Sequence, residues 1–272
     1  MEFKLIVWLA AFAVAASAKV MRRTACNVTE PPKNWAVALY DGLDVIDVFG
    51  PIDVLYILSL SQQLNLYFLA DTMAPVWMRP PLPELNKAGS NFTASFNPTH
   101  TFDNPPDDIE ILLVPGGLGM RRGNSSEPVV DFVRKTYPKV KYLLTTCTGA
   151  GVAARAGVLD GKRATTNKAA WNEIVKMGPN VKWVSPARWT VDGNIWTSSG
   201  VSLVASLFLW PFVLRPSGGG SDQQLQHADL YNKNTSHTIQ GAVEYVRAKD
   251  PCDDPFAKWH NIPPSGDCRD NK

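Results

Sequence analysis

A thiol at the corner between a strand and a helix can serve as a nucleophile, and Cys147 stands at such a corner. Before it, Tyr142-Leu143-Leu144 with Thr145-Thr146 reads as a strand; after it, Thr148-Gly149-Ala150-Gly151-Val152-Ala153-Ala154 reads as a helix of small residues. A nucleophile elbow needs this arrangement, because the side chain must protrude from a tight turn and only small neighbours let strand and helix approach closely. The helix N-terminus would aim free N–H groups and partial positive charge at the sulfur, so the thiolate is expected to be favoured over the thiol. A lone cysteine is more often an inert core residue. Its supporting residues therefore decide the matter.

Such a nucleophile needs a group that manages its proton, donors for developing negative charge, and a pocket. Asp47 is the candidate proton carrier. Its neighbours Ile46, Val48 and Phe49 are apolar, and burial among them would raise its pKa and let it hydrogen-bond to the sulfur; Asp44 is the local rival. Gly116-Gly117 follows the apolar run ending in Val114-Pro115. It could present backbone N–H groups to an oxyanion together with the N–H of Thr148.

The elements that must position these groups alternate between strand and helix. Strands are expected at Trp35–Tyr40, Leu64–Leu69, Ile109–Val114 and Tyr142–Thr146. Helices are expected from about Val45 to Leu60, interrupted early by Gly50-Pro51, and from about Glu127 to Tyr137. Val76 to Phe96 is a Pro-rich excursion that could hold a hairpin. Later come a helix over Ala169–Lys176, a hairpin of Trp183–Val191 and Asn194–Thr197 joined by Asp192-Gly193, an apolar helix over Gly200–Leu214, and a final helix over Asp229–Ala248. Near-continuous apolar strands alternating with helices indicate a mostly parallel sheet covered on both faces, an α/β doubly wound architecture. In such sheets, functional groups gather at the carboxyl ends of the strands.

Lys4, the apolar stretch Leu5 to Ala16 and the small-x-small sequence Ala16-Ser17-Ala18 read as a secretory signal over residues 1–18. That stretch is shorter than the roughly 20 residues a membrane span needs. A polar leader over 19–33, one domain over 34–265 and a tail over 266–272 are expected to follow. Sequons at Asn27, Asn91, Asn124 and Asn234 fit a glycosylated protein of the secretory pathway. In an oxidising compartment the four cysteines point to disulfides. Cys252 with Cys268 is the first pairing to expect, Cys26 with either is the competitor, and Cys147 stays free. A formal charge of +2 over the chain gives no reason to expect nucleic acid or an anionic membrane as partner. No His/Cys cluster has metal-ligand spacing, so no metal is expected.

Taken together, Asp47-x-x-Gly-Pro51, Gly116-Gly117 after Val-Pro, the Thr-Cys-Thr-Gly-Ala elbow and Ala156-Gly-Val-Leu-Asp-Gly-Lys-Arg-Ala-Thr-Thr166 resemble the ThiJ/PfpI superfamily. The likeness is nearest to its isonitrile-hydratase-like branch. It covers roughly 34–214 and includes Asp254-Pro255-Phe256-Ala257. The resemblance implies a flavodoxin-like α/β sandwich, often a homodimer, acting on a small molecule. It matches Cys147 to the nucleophile, Asp47 to its acidic partner, and Gly117 with Thr148 to the oxyanion donors. Two departures stand out. Asn167, followed by Lys168, replaces the histidine that relatives often carry after Ala-Thr-Thr and could instead orient substrate. Leu203-Val204-Ala205-Ser206 occupies a stretch where relatives tend to have Ala-Gly-x-Asp. The leading expectation is a cofactor-independent cysteine-dependent hydratase or lyase. The competing readings are a redox-responsive binding protein on the same scaffold and a glyoxalase- or peptidase-like enzyme. A DNA-binding regulator is disfavoured, since no helix-turn-helix segment is apparent.

Overall fold

The computed structural model describes residues 31–80, 82–121, 126–200, 241–242 and 250–269. The elements begin with β1 (Asn34–Ala38), α1 (Val45–Ser59) and β2 (Asn65–Ala70). There follow β3 (Val76–Trp77), β4 (Ser95–Phe96), β5 (His100–Thr101), β6 (Ile111–Val114), α2 (Glu127–Thr136), β7 (Tyr142–Thr145) and α3 (Gly149–Arg155). The last described elements are β8 (Arg163–Ala164), α4 (Trp171–Ile174), β9 (Lys182–Trp183), β10 (Trp189–Asp192), β11 (Ile195–Ser198) and α5 (Pro255–Trp259). Seven strands form one sheet in the order β10-β11-β7-β6-β1-β2-β5. Every pair is parallel except β10 with β11. The fold is a flavodoxin-like α/β architecture with a mostly parallel central sheet.

Alternation along the strands sends side chains into two cores, as the two-residue period requires. Ala36, Ala38, Leu112, Val114 and Leu143 pack with Val129, Val133 and Val152 from α2 and α3 on one face. Trp35, Val37, Leu39, Ile111, Leu113 and Leu144 pack with Val48, Val54, Leu55 and Leu58 of α1 on the other, joined by Trp189 and Trp196. Both faces of β1, β6 and β7 are therefore buried, which is why these segments are apolar apart from Asn34 and Thr145 at their ends. The chain passes from β1 to β2 on one side and places β6 on the other side of β1. That is the strand-order reversal at which open α/β sheets form a crevice.

Several boundaries differ from expectation. Helix α1 runs unbroken through Pro51. Proline removes one ladder bond, but the turn before it is anchored by Asp44, whose side chain accepts the Ile46 N–H at 3.1 Å. The strand expected to start at Trp183 is divided: Lys182–Trp183 pairs with Arg163–Ala164, and the hairpin strand begins only at Trp189. The helix expected over Ala169–Lys176 is a single α turn followed by a 3-10 turn at Val175–Met177. The Pro-rich excursion does hold a small antiparallel ribbon, β3 with β4. The helices expected beyond Gly200, including Leu203-Val204-Ala205-Ser206, lie outside the described residues apart from 241–242, as do Cys26, Asn27, Asn124 and Asn234. Asn91 is exposed. No helix among the described residues is long and apolar enough to cross a membrane.

The tail is fastened to the body and to itself. Cys252 and Cys268 form a disulfide, while Cys147 is free and buried. Ser185 and Ser265 exchange backbone hydrogen bonds, and the Arg188 N–H donates to the Pro251 carbonyl at 2.7 Å. Ala257 and Ile262 pack on Trp171.

Candidate active site

Three chain segments leave adjacent parallel strands at their carboxyl ends and converge. Beyond β1, Leu43 bridges Gly117, and the Asp44 N–H donates to the Gly116 carbonyl at 2.8 Å. This stitch brings the first turn of α1, and Asp47 with it, against the loop after β6. Beyond β7, Cys147 turns with φ +52, the left-handed region that a side chain with a Cβ rarely adopts. The elbow foreseen from small residues is therefore present, with strain located at the thiol-bearing residue. Gly149 explains the small-residue segment: a Cβ there would lie 2.2 Å from the Val114 carbonyl oxygen.

Asp47 is fully buried. Its Oδ2 accepts the Gly116 N–H at 2.9 Å. Its Oδ1 makes no hydrogen bond of ordinary geometry, although the Thr146 hydroxyl and the Cys147 thiol both face the carboxyl. Burial, reinforced by the charge of Asp44, pushes its pKa up to about 7 against these stabilising contacts. The carboxyl can thus hold or release a proton near neutrality, as a group serving as both acid and base must.

The thiol behaves differently from the expectation drawn for it. Burial and the nearby charge of Asp47 push the Cys147 pKa well above its ordinary value, and the Thr148 N–H and the Asn167 side chain, which favour the thiolate, do not compensate. Cys147 rests as a thiol. The expected thiolate preference fails because the N–H groups of one short helix act on a sulfur from which water is excluded and beside which a carboxylate sits. Tyr40 completes the corner: its hydroxyl donates to the Pro115 carbonyl at 2.8 Å, and burial with the charges of Asp47 and Cys147 raises its pKa so that it stays neutral.

The expected donors are arranged asymmetrically. The Thr148 N–H faces the sulfur. The Gly117 N–H donates to Thr148 Oγ1 at 2.9 Å, and that hydroxyl donates back to the Gly117 carbonyl at 3.2 Å. Service of Gly117 to an oxyanion therefore requires the Thr148 hydroxyl to rotate away. Asn167 is brought against Cys147, and its Oδ1 caps the Ala170 N–H at 3.2 Å. Among the described residues no group of three or more His, Cys, Asp or Glu side chains is gathered to hold a metal ion.

A sequence model of the DJ-1/PfpI family matches residues 35–209. The chain belongs to that family. It is 31% identical over 213 residues to an isonitrile hydratase of Pseudomonas putida, covering 77% of each chain. It is 34% identical over 111 residues to a deglycase of Pyrococcus horikoshii, a match spanning 40% of this chain and 63% of that one. In fold it is similar to a THiJ/PfpI family protein from Pseudomonas syringae, with a TM-score of 0.61, 22% identity and coverage of 85% and 81%. Its relatives in the DJ-1/PfpI family thus include proteins described as enzymes of two kinds.

Beside this DJ-1/PfpI corner lies a buried ionic cluster that the sequence did not disclose. Lys168 Nζ lies 3.1 Å from Asp254 Oδ2, with both side chains almost wholly enclosed. It also donates to Thr165 Oγ1 at 2.9 Å and to the carbonyls of Thr166 and Ala187 at 3.0 and 2.9 Å. Asp254 Oδ2 accepts the Ala187 N–H at 3.2 Å as well. Burial lowers the Lys168 pKa to about 8, held up by Asp254, so the ammonium is largely charged at neutrality. The cost of burying such a pair is offset by the bonds around it: the Lys168 donors are all used, while Asp254 Oδ1 has no hydrogen-bond partner and faces the Arg188 guanidinium at 3.9 Å. The pair ties the chain next to Asn167 to the tail.

Proposed function

We propose that the protein is a cysteine-dependent hydratase that adds water to an isonitrile and releases an N-substituted formamide. The observation that carries the reading is the enclosed pair of Cys147 and Asp47, a strained thiol facing a carboxyl poised near neutrality. The likeness to isonitrile hydratase over most of both chains supports the substrate class.

The raised thiol pKa makes Asp47 the first actor. Its carboxylate takes the Cys147 proton as sulfur bonds to the terminal carbon of the isonitrile. The resulting carboxylic acid returns that proton to the same carbon, giving a thioimidate and restoring the carboxylate. Asp47 then removes a proton from water as its oxygen adds to the thioimidate carbon, and passes the proton to nitrogen. Collapse of the tetrahedral adduct breaks the C–S bond, returns the thiol and frees the formamide. The Thr148 N–H, joined by Gly117 once the Thr148 hydroxyl has rotated, steadies the polarised intermediates, and Asn167 orients the substrate. The reaction uses water alone and needs no cofactor. The signal-like segment 1–18 and the exposed sequon at Asn91 support the companion proposal that the protein is secreted and glycosylated.

The test is turnover of a simple alkyl isonitrile by the purified protein, following formamide, with Cys147→Ala and Asp47→Asn alongside. Formamide production abolished in both variants is the expected result. Turnover that survives Cys147→Ala rejects the mechanism.

A further inference from the structure

Two buried polar atoms in the reacting corner lack the partner that burial demands. Asp47 is fully buried; its Oδ2 accepts the Gly116 N–H at 2.9 Å, and its Oδ1 has no hydrogen bond of ordinary geometry. Thr146 is equally enclosed, and its Oγ1 has none either. They come from different elements, the first turn of α1 and the residue just past β7. Alternation along the strand brings them to one face: Leu144, two residues before Thr146, lies in the core that Val48 of α1 helps to form. The Thr146 N–H donates to the Val114 carbonyl at 3.1 Å, which fixes the backbone, and the hydroxyl faces the Asp47 carboxyl. A hydroxyl buried at an apolar strand end is costly unless it serves another polar group.

The titratable groups that face Asp47 among the described residues are Asp44 from its own helix, Cys147 from the elbow and Tyr40 from beyond β1. None of them is a cation, so within this set the carboxylate is stabilised by hydrogen-bond donors alone. The Gly116 N–H can only donate, and it commits Oδ2 to accepting. A proton on Asp47 therefore resides on Oδ1. A group that serves Oδ1 in both states must donate to it when it is bare and accept from it when it is protonated. A hydroxyl does both by turning about its C–O bond; a backbone N–H cannot.

We propose that Thr146 is the positioning residue for proton exchange between Cys147 and Asp47, its hydroxyl donating to Oδ1 of the carboxylate and accepting from Oδ1–H of the acid. The assignment of Asp47 as proton carrier is borrowed from the hydratase reading. As the thiol gives its proton to Oδ1, sulfur keeps the electron pair of the S–H bond, and the Thr146 hydroxyl turns from donor to acceptor. It keeps its own proton throughout. The acid proton is then held on Thr146 rather than shared with the thiolate that released it, which leaves the sulfur electron pair free to attack. When the acid gives its proton up, the hydroxyl turns back.

The test is the titration of Asp47 in the full-length protein, which needs no substrate. Its carboxyl carbon is followed by 13C NMR, the signal being identified by its loss in Asp47→Asn, and Cys147 alkylation by iodoacetamide is timed across the same pH range. Thr146→Val keeps the shape and loses the oxygen. It should raise the Asp47 midpoint by about one pH unit, the effect of losing one hydrogen bond to a charged group. Thr146→Ser should restore the midpoint. Thr145→Val is the control, because Thr145 is as deeply buried, with an equally unpartnered Oγ1, but belongs to the opposite face; it should leave the midpoint in place. In an Asp47→Asn background Thr146→Val should slow alkylation no further. Thermal melting verifies that each variant folds, and Thr146→Ala carries the test should Thr146→Val fail to do so. An unshifted or lowered midpoint, an equal shift in Thr145→Val, or no recovery in Thr146→Ser overturns the assignment. A shifted midpoint without formamide from the unaltered protein would remove the hydratase reading and leave Thr146 its place. Formamide production with an unshifted midpoint would remove Thr146 and leave the hydratase.

Discussion

The Asp47 carboxyl hangs from the Gly116 N–H at 2.9 Å while its other oxygen is left to Cys147 and Thr146. Burial, helped by the charge of Asp44, outweighs these contacts and holds the carboxyl at a pKa of about 7 in place of the ordinary 3.8. The folded state keeps a proton that the unfolded chain has released between these values, so stability falls as pH rises from about 4 to about 7. At 1.36 kcal/mol per pH unit the full effect is at most ~4 kcal/mol. Asp47→Asn removes the titration and keeps an acceptor for Gly116. Melting temperatures should be similar for the two proteins at pH 4, with the variant clearly higher at pH 8; a difference independent of pH would contradict the raised carboxyl.

Gly116 is where Asp47, Cys147 and Thr148 meet. A Cβ at this position would lie 2.6 Å from Asp47 Oδ2, 2.7 Å from the Thr148 nitrogen and 2.8 Å from the Cys147 Cβ. Two of these neighbours are backbone or the first atom of a side chain and cannot swing away. Gly116→Ala should therefore cost about 1–3 kcal/mol in stability, the usual size of an overpacking penalty, read by urea denaturation. It should also reduce formamide turnover at least tenfold, because an ångström of misplacement is enough to spoil catalytic geometry.

The positive φ of Cys147 predicts an inversion of the usual ranking of glycine and alanine. At ordinary positions glycine is the less stable by about 0.5–1 kcal/mol. Here Cys147→Gly should match or exceed Cys147→Ala in stability, since only alanine retains the left-handed strain of about 1–2 kcal/mol. Both variants lack the thiol, so the comparison reports the backbone alone, and a Gly variant less stable than the Ala variant would locate the strain elsewhere.

Lys168→Met leaves the Asp254 carboxyl enclosed without its closest cation. Removing one partner of a buried pair costs about 3–5 kcal/mol. The double variant Lys168→Met with Asp254→Asn should recover a substantial part of that loss. A fully additive double-mutant cycle would show that the two groups do not interact.

How much of this was legible beforehand depended on how local each feature is. The Cys147 elbow could be read because strand, thiol and small-residue helix are contiguous, and Gly149 faces Val114 for the reason its small size implied. Asp47 could be read as a buried acid from its apolar neighbours. The protonation state of Cys147 could not, because it is a balance between one N–H, one amide, burial and a charge delivered by another strand's loop. The partnership of Lys168 with Asp254 has no local signature at all: each residue lies in a polar loop, and only the folded tail brings them together. The hairpin start was misplaced because the apolar pattern around Trp183 belongs to a separate short strand pairing with Arg163 and Ala164.

The tail disulfide joins Cys252 and Cys268, 16 positions apart, and so closes the tail upon itself, leaving its attachment to the body to non-covalent contacts. Within that loop lie Phe256 and His260, which line a pocket beside Asn167, and Asp254, which anchors the loop to Lys168. The reacting corner, by contrast, is encoded entirely between Tyr40 and Asn167. The molecule is therefore built as a fixed reaction chamber with a separately stapled faceplate. Changes to the exposed residues of the faceplate therefore leave the chamber's own residues untouched, whereas Asp254, which ties the faceplate to Lys168, is bound to the interior.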